Sequence, residues 1–166
     1  MPDAPRTAGA VNWAPGQARV VNAAEVPEAV FAPDASTCSH RKDLRRSLGS
    51  GIIGLRIQRV PPGKRSSLKH HQLFQEEMIL ILSGEGVLLH GSERIPVRPM
   101  DCVAHLPSDP AAHCFENTGT DDLVILACGN RCRHEVCLYP EKGLAFVEGL
   151  GTDIPIGPDV LDRLAE

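Results

Sequence analysis

The stretch that most restricts the fold of this chain is the segment from Gly63 to Gly86. It contains a short apolar run, Met78 to Leu82, which a Ser-Gly-Glu-Gly turn closes. A continuously apolar run of this length, bounded by glycine, predicts a β-strand that is buried on both faces. A second run of the same kind covers Leu123 to Cys128. Because no sustained helical period appears before the C-terminal tail, these runs indicate a protein built mainly from β-strands.

Polar side chains surround the start of the first apolar run. His70 and Gln72 are two residues apart, so on a strand they face the same side. Glu77 begins the run itself. If the two strands are neighbours, a histidine, an amide and a carboxylate converge on one point. His71 is predicted to face the other way, as a surface or interface histidine.

Short strand patterns recur through the middle of the chain at intervals of about 8 to 12 residues, which is typical of a β-sandwich or barrel. The candidate strands begin near Ile52, His70, Glu77, Gly86, Arg94, Cys102, His113, Leu123 and Glu135. The turn Gly91-Ser92-Glu93 predicts a hairpin between the strands on either side of it.

Charge and hydropathy exclude two classes of partner. The formal net charge is −4 and the basic residues form no block beyond Arg41-Lys42 and Arg45-Arg46, so we expect no nucleic-acid partner. No apolar stretch approaches the roughly 18 residues of a membrane span. The N-terminal sequence does not resemble a signal peptide, and we expect a cytoplasmic protein.

The six cysteines are interpreted first as thiols, since the chain does not resemble a small disulfide-rich secreted domain. Those expected to be buried in strands are Cys102, Cys114 and Cys128. The alternative is a soft-metal cluster of Cys128, Cys132 and Cys137 with His134. Its spacing differs from the common zinc knuckles, in which two residues separate a pair of cysteines.

The segment containing the first apolar run resembles the first motif of the cupin superfamily, Gly-x5-His-x-His-x3-4-Glu-x6-Gly. Gly63, His70, Glu77 and Gly84 occupy the first glycine, first histidine, glutamate and last glycine positions. The sequence departs from the motif twice. One extra residue precedes His70, and Gln72 replaces the second histidine.

A second stretch resembles the second cupin motif, Gly-x5-Pro-x-Gly-x2-His-x3-Asn. His113 and Asn117 match its last two positions. Met100 stands at the first glycine, Pro107 is one place late, and Ser108 replaces the second glycine.

The resemblance covers about residues 50–140 and implies an all-β fold, the double-stranded β-helix or jelly-roll barrel of cupins. The division expected is an N-terminal arm and connecting segment at 1–50, the barrel at 51–140 and a C-terminal tail at 141–166. Within the arm, residues 33–50 are expected to be a surface connection with one helical turn near 43–47. Residues 158–164 predict a short terminal helix.

The resemblance also implies a metal site. It places three family ligands at His70, Glu77 and His113, with Gln72 at the fourth position. Two imidazoles and a carboxylate suit a divalent Fe, Mn, Ni or Zn ion, and the amide oxygen of Gln72 is a weaker donor. His105 has two interpretations: a cavity-facing base or replacement ligand, or a hydrogen-bonded structural histidine.

Two functions follow from the resemblance. The first is a metal-dependent dioxygenase, isomerase or lyase acting on a small polar metabolite in the barrel mouth, with Glu77 as the catalytic group, or a nearby histidine, handling protons. The alternative is a non-catalytic cupin that has lost the metal and binds a sugar or organic acid. Cupins are often dimers, so the resemblance also implies a homodimer.

Overall fold

The computed structural model of the protein describes residues 13–157. That part of the chain consists mainly of β-strands, as predicted. In chain order they are β1 (Glu28–Asp34), β2 (Thr37–Asp43), β3 (Ile53–Val60), β4 (His71–Gln72), β5 (Glu77–Ser83), β6 (Gly86–His90), β7 (Glu93–Val97), β8 (Cys102–His105), β9 (His113–Glu116), β10 (Leu123–Asn130), β11 (Val136–Tyr139), β12 (Leu144–Val147) and β13 (Thr152–Pro155). The helices are α1 (Leu44–Leu48) and two 3-10 turns, Ala23–Glu25 and Pro140–Lys142. Among the described residues, no helix is long and apolar enough to cross a membrane.

The strands form three antiparallel sheets. One has six strands in the order β1-β2-β3-β10-β5-β8, one has three in the order β7-β6-β9, and one has four in the order β13-β12-β11-β4. The hydrophobic core lies between the first two sheets, since its buried side chains come from β3, β5 and β10 on one side and from β6, β7 and β9 on the other. Two sheets that face each other across one core agree with the predicted sandwich or barrel.

The two apolar runs form the strands β5 and β10, but they are buried on one face only. Ile79 and Ile81 point into the core, whereas Met78 is 53% exposed and Leu82 is 41% exposed. Alternate side chains of a strand point to opposite faces, and no layer of residues 13–157 covers the outer face of the six-stranded sheet at these positions. The prediction of burial on both faces is therefore wrong for this part of the chain.

The predicted surface connection at residues 33–50 is wrong over most of its length. Strand β2 pairs with β3 and extends the six-stranded sheet, with β1 on its outer edge. Two inward positions of β2, Thr37 and Ser39, are buried hydroxyl residues, so hydropathy gives no sign of this strand. The predicted helical turn is confirmed as α1, where the Asp43 carboxylate accepts a hydrogen bond from the Arg46 backbone at 2.8 Å.

The predicted hairpin is confirmed as β6 and β7, which pair from Gly86↔Val97 to His90↔Glu93. The predicted C-terminal helix at 158–164 lies outside the described residues. The division of the chain at residues 50 and 140 stays a prediction.

Two residues other than glycine have positive φ, and both stand at glycine positions of the second motif. Met100 has φ 76° and Ser108 has φ 61°. The backbone at Met100 turns so that its N–H donates to Ile81 O at 2.9 Å. The backbone is therefore left-handed at both motif positions although neither residue is glycine. An L side chain in this region costs about 1–2 kcal/mol.

We predict that Met100→Gly stabilises the protein, by about 1 kcal/mol after allowing for the larger entropy of glycine in the unfolded chain. Met100 is 76% exposed, so little packing is lost. Met100→Ala removes the same side chain but keeps a Cβ, and we expect no gain from it. Urea unfolding of the three proteins measures the difference. Equal stabilities for the glycine and alanine variants would show that the backbone at residue 100 is not strained.

Candidate metal centre

The backbone pairs His70 with His113, although they are far apart in the sequence. His70 N donates to His113 O at 3.1 Å, and His113 N donates to His70 O at 2.7 Å. The two imidazole rings consequently lie with their centroids 4.8 Å apart. This bridge brings the start of β9 beside the residue that precedes β4.

The tautomer of His70 follows from its hydrogen bond. Its Nδ1 lies 2.8 Å from Leu68 O. A carbonyl oxygen only accepts, so Nδ1 carries the proton and Nε2 keeps a lone pair. His113 is buried, and its Nε2 has no hydrogen-bond partner in the described part of the chain. The Nε2 of His70 can therefore accept a proton or bind a cation, and the Nε2 of His113 can do so in the tautomer that carries its proton on Nδ1.

Glu77 is held by an arginine that reaches it over the strand between them. Arg56 on β3 and Glu77 on β5 flank β10, where their register partners are Ala127 and Gly129. Arg56 Nη2 donates to Glu77 Oε1 at 3.1 Å. Small residues on β10 leave room for this contact. A Cβ at Gly129 would lie only 2.6 Å from Glu76 O.

The donor atoms of His70, Glu77 and His113 all lie within 4.8 Å of one another. Three of the four candidate side chains predicted from the sequence therefore meet at one point. His70, Gln72 and Glu77 also line a cavity of about 470 Å³, a volume typical of sites that bind small molecules. Other walls of this cavity come from β2, β3, β10, β11 and β12.

Solved structures share this architecture. The chain is similar to a candidate sugar phosphate isomerase from Acidithiobacillus ferrooxidans, with 28% identity over 77% of this chain and 83% of the other, and a TM-score of 0.70. It is similar to a sugar phosphate isomerase of the cupin superfamily from Silicibacter pomeroyi, with 26% identity over 73% and 82% and a TM-score of 0.67. A predicted oxalate decarboxylase from Thermotoga maritima has 23% identity over 68% and 99%, with a TM-score of 0.58, which supports the fold alone. None of the curated proteins matches the chain.

The Cupin domain family matches residues 56–129, a segment that includes His70, Gln72, Glu77 and His113. The chain belongs to the cupin superfamily. The expected double-stranded β-helix is thereby confirmed, and this cupin carries it in a small, single-domain form.

Gln72 of this cupin lines the same cavity as His70 and Glu77. Its Nε2 donates to Gln75 Oε1 at 3.1 Å. Its Oε1 is buried and has no hydrogen-bond partner among residues 13–157. The amide oxygen is therefore an acceptor without a donor, whereas the amide nitrogen is already engaged.

His105 lies beside the candidate site, and its hydrogen bonding does not match the structural histidine of the second interpretation. It pairs with Glu77 across β5 and β8, so both side chains face the same side of the sheet. Its ring stacks on His113 with centroids 3.3 Å apart, and neither ring nitrogen has a hydrogen-bond partner within the described residues. Val103 packs against the core. Residues two apart on a strand share a face, so His105 also points inward. The apolar Val103 two residues earlier is the sequence feature that indicates this orientation.

The prediction for His71 is wrong, because this residue is buried. Strand β4 is two residues long and pairs with β11, where His71 lies opposite the fully buried Leu138. The outward side of β4 is thus covered by the protein itself. Of the cysteines expected to be buried, Cys114 is buried, Cys128 is half-buried and Cys102 is exposed.

Burial keeps the inner imidazoles uncharged. Desolvation is the main cause that lowers the pKa of His113 to about 2 and that of His105 to about 4. Neighbouring histidines lower both values further, and Glu77 opposes the shift at His105. Desolvation also lowers the pKa of His70. At neutral pH these rings therefore keep the lone pairs with which imidazole binds metals.

We predict that the metal-free cupin loses stability as the pH falls from about 6.5 toward 4. Histidine in the unfolded chain has a pKa of about 6.5, so below that value the unfolded state binds more protons than the folded state. Each such histidine lowers the free energy of unfolding by about 1.4 kcal/mol per pH unit. Above pH 6.5 these histidines are neutral in both the folded and the unfolded state, so their full contribution to stability is present.

Urea unfolding with a chelator present, at several pH values, measures this slope. His105→Phe should lower the slope of unfolding free energy against pH by the contribution of about one proton, which is about 1.4 kcal/mol per pH unit. His134→Gln, at an exposed histidine, should not change the slope. An unchanged slope in His105→Phe would show that His105 is not a buried neutral imidazole.

Proposed function

We propose that this cupin binds a divalent metal ion through His70, Glu77 and His113, with Gln72 as a weak fourth donor. We further propose that it is a metal-dependent enzyme of the isomerase type, acting on a small polar metabolite in the cavity. The observation that carries the proposal is the convergence of two neutral imidazoles and one carboxylate within 4.8 Å.

The chemistry of these side chains fits such an ion. His70 Nε2 keeps its lone pair, and within residues 13–157 neither His113 Nε2 nor Gln72 Oε1 has a hydrogen-bond partner. Buried polar atoms without a partner are costly, and a cation at this point would satisfy them. Two imidazoles and a carboxylate suit Fe, Mn, Ni or Zn. When bound, such an ion polarises a substrate oxygen as a Lewis acid.

The isomerase type is favoured by the two similar structures that are named as sugar phosphate isomerases. Dioxygenase and lyase chemistry are the other reactions proposed for the same donor set. Isomerisation of a sugar moves a proton between adjacent carbons. Arg56 donates to Glu77 Oε1 and so orients the carboxylate, which we propose both binds the metal and takes and returns this proton.

A second candidate is a cupin that binds a sugar or organic acid without catalysis. Two observations favour it. Gln72 occupies the position of the second histidine of the first motif, and Arg56 already neutralises Glu77 at 3.1 Å. In that case the polar side chains of the cavity hydrogen-bond to the ligand.

We predict that the purified protein binds one of these metals in a 1:1 ratio, and that His70→Ala or His113→Ala weakens the binding at least about ten-fold. Gln72→His should strengthen it, because an imidazole nitrogen is a better donor than an amide oxygen. Elemental analysis and titration calorimetry measure both effects, with His134→Ala as the matched control at an exposed histidine. Equal affinities in the wild type and in His113→Ala would contradict the proposed site.

Turnover separates the two candidates. The metal-loaded protein should interconvert the aldose and ketose forms of a sugar phosphate, and Glu77→Gln should abolish this reaction while substrate still binds. Binding without turnover by a fully loaded wild type would favour the non-catalytic function.

We also propose a homodimer that is formed through the outer face of the six-stranded sheet, where Met78 and Leu82 are exposed. An apolar sheet face of this kind is typical of a subunit interface. The mass in solution by light scattering should be twice 17.9 kDa and should fall to that of the monomer in Leu82→Asp.

The cytoplasm is the proposed location, since the six cysteines are free thiols, as in reducing compartments. Fractionation of expressing cells tests the location.

A further inference from the structure

Four arginines line the cavity, and one of them differs from the rest. The four are Arg41, Arg45, Arg56 and Arg131. Arg45 lies 3.7 Å from Asp43, Arg56 lies 3.1 Å from Glu77, and Arg131 pairs with Glu148. Among residues 13–157, no carboxylate lies within 4.0 Å of Arg41. The cavity wall therefore carries one guanidinium whose charge has no counter-ion in the described chain.

The guanidinium of Arg41 is held in a fixed orientation. Its Nε donates to Ser39 Oγ at 3.0 Å, and its Nη2 donates to Ser66 O at 3.0 Å. The ring of Phe31 lies against its face, with Cζ 3.7 Å from the ring centroid. These contacts use neutral groups only, and Nη1 has no acceptor in the part of the chain that the structure describes. A guanidinium that is already ordered, with N–H donors to spare, is well prepared to bind a carboxylate or a phosphate.

Arg41 shares its electrostatic environment with the candidate metal centre. Burial lowers the pKa of Arg41 to about 10, the positive charge of Arg56 lowers it further, and Tyr139 and Glu77 oppose the shift. Arg41 is therefore charged at neutral pH, at the edge of the same cavity as Glu77. A half-buried cation without a counter-ion destabilises the protein, and an anionic ligand removes that cost.

We propose that Arg41 is the anion-binding residue of this cavity, and that the natural ligand is a small metabolite with a carboxylate or phosphate group. This group binds to the guanidinium of Arg41, and the rest of the molecule extends toward His70 and Glu77, which line the same cavity of about 470 Å³. The orientation of the ligand toward these residues rests on the proposed function. The anion site itself does not.

Titration calorimetry of the full-length protein with inorganic phosphate and with succinate, at constant ionic strength, tests the anion site. We expect Arg41→Gln to weaken binding of the preferred anion at least about ten-fold. Arg41→Lys keeps the charge but not the planar fork of donors, so its loss should be smaller. Arg98→Gln removes the same charge from an exposed arginine and should have no effect. The anion that binds more tightly identifies the ligand class as phosphate or carboxylate.

Circular dichroism and thermal melting establish whether each variant is folded. If Arg41→Gln is not folded, Arg41→Lys is the variant that decides the test. The inference is overturned if neither anion binds the wild type, or if Arg41→Gln and Arg98→Gln bind equally well. It is also overturned if Arg41→Lys, as the deciding variant, binds as tightly as the wild type.

Repeating the titration with chelated wild type and with His113→Ala separates this inference from the proposed function. Anion binding that persists without metal and depends on Arg41 supports the anion site, even if the protein binds no metal. Anion binding that is lost on chelation but kept in Arg41→Gln would place the anion on the metal and overturn the inference, while leaving the proposed function intact.

Discussion

The site depends on the small side chains of β10, the strand that lies between Arg56 and Glu77. This strand is hydrogen-bonded to β3 on one edge and to β5 on the other. Its inward residues near the cavity are Ala127 and Gly129, which are too small to block the space above the sheet. Arg56 and Glu77 can therefore meet at 3.1 Å over the strand between them. A Cβ at residue 129 would lie 2.6 Å from Glu76 O, so a larger residue there would displace the backbone next to Glu77.

The chemistry of the histidines follows from the same packing that stabilises the fold. The bridge between His70 and His113 and the pairing of Glu77 with His105 bring imidazoles from separate strands into the interior. An imidazole that is buried away from water favours its neutral form, and the neutral form is the one that offers a lone pair. In this cupin, burial therefore prepares the donor atoms without any dedicated base to deprotonate them.

Much of the site was predictable from the spacing of polar residues around β5. Side chains two apart on a strand share a face, so His70 and Gln72 were correctly placed on the same wall as Glu77. His71 and β2 were predicted wrongly because periodicity does not reveal which strand covers the other face. His71 is buried although β11 is only the neighbour of β4 in the same sheet, and the inward face of β2 carries the hydroxyl groups of Thr37 and Ser39. The register of β8 against β5, which brings His105 to Glu77, is likewise a tertiary feature without a local sequence pattern.

Arg41 and Phe31 stand on the ribbon of β1 and β2, which precedes the segment matched by the Cupin domain family. The imidazoles and the carboxylate stand within that segment. In the proposed arrangement, the anion-binding residue and the metal-binding residues therefore come from separate parts of the polypeptide that line one cavity. On this arrangement, a change in the β1–β2 hairpin would alter which molecules the cavity binds while the metal-binding side chains keep their positions, so exchange of this hairpin would give the same barrel a new selectivity.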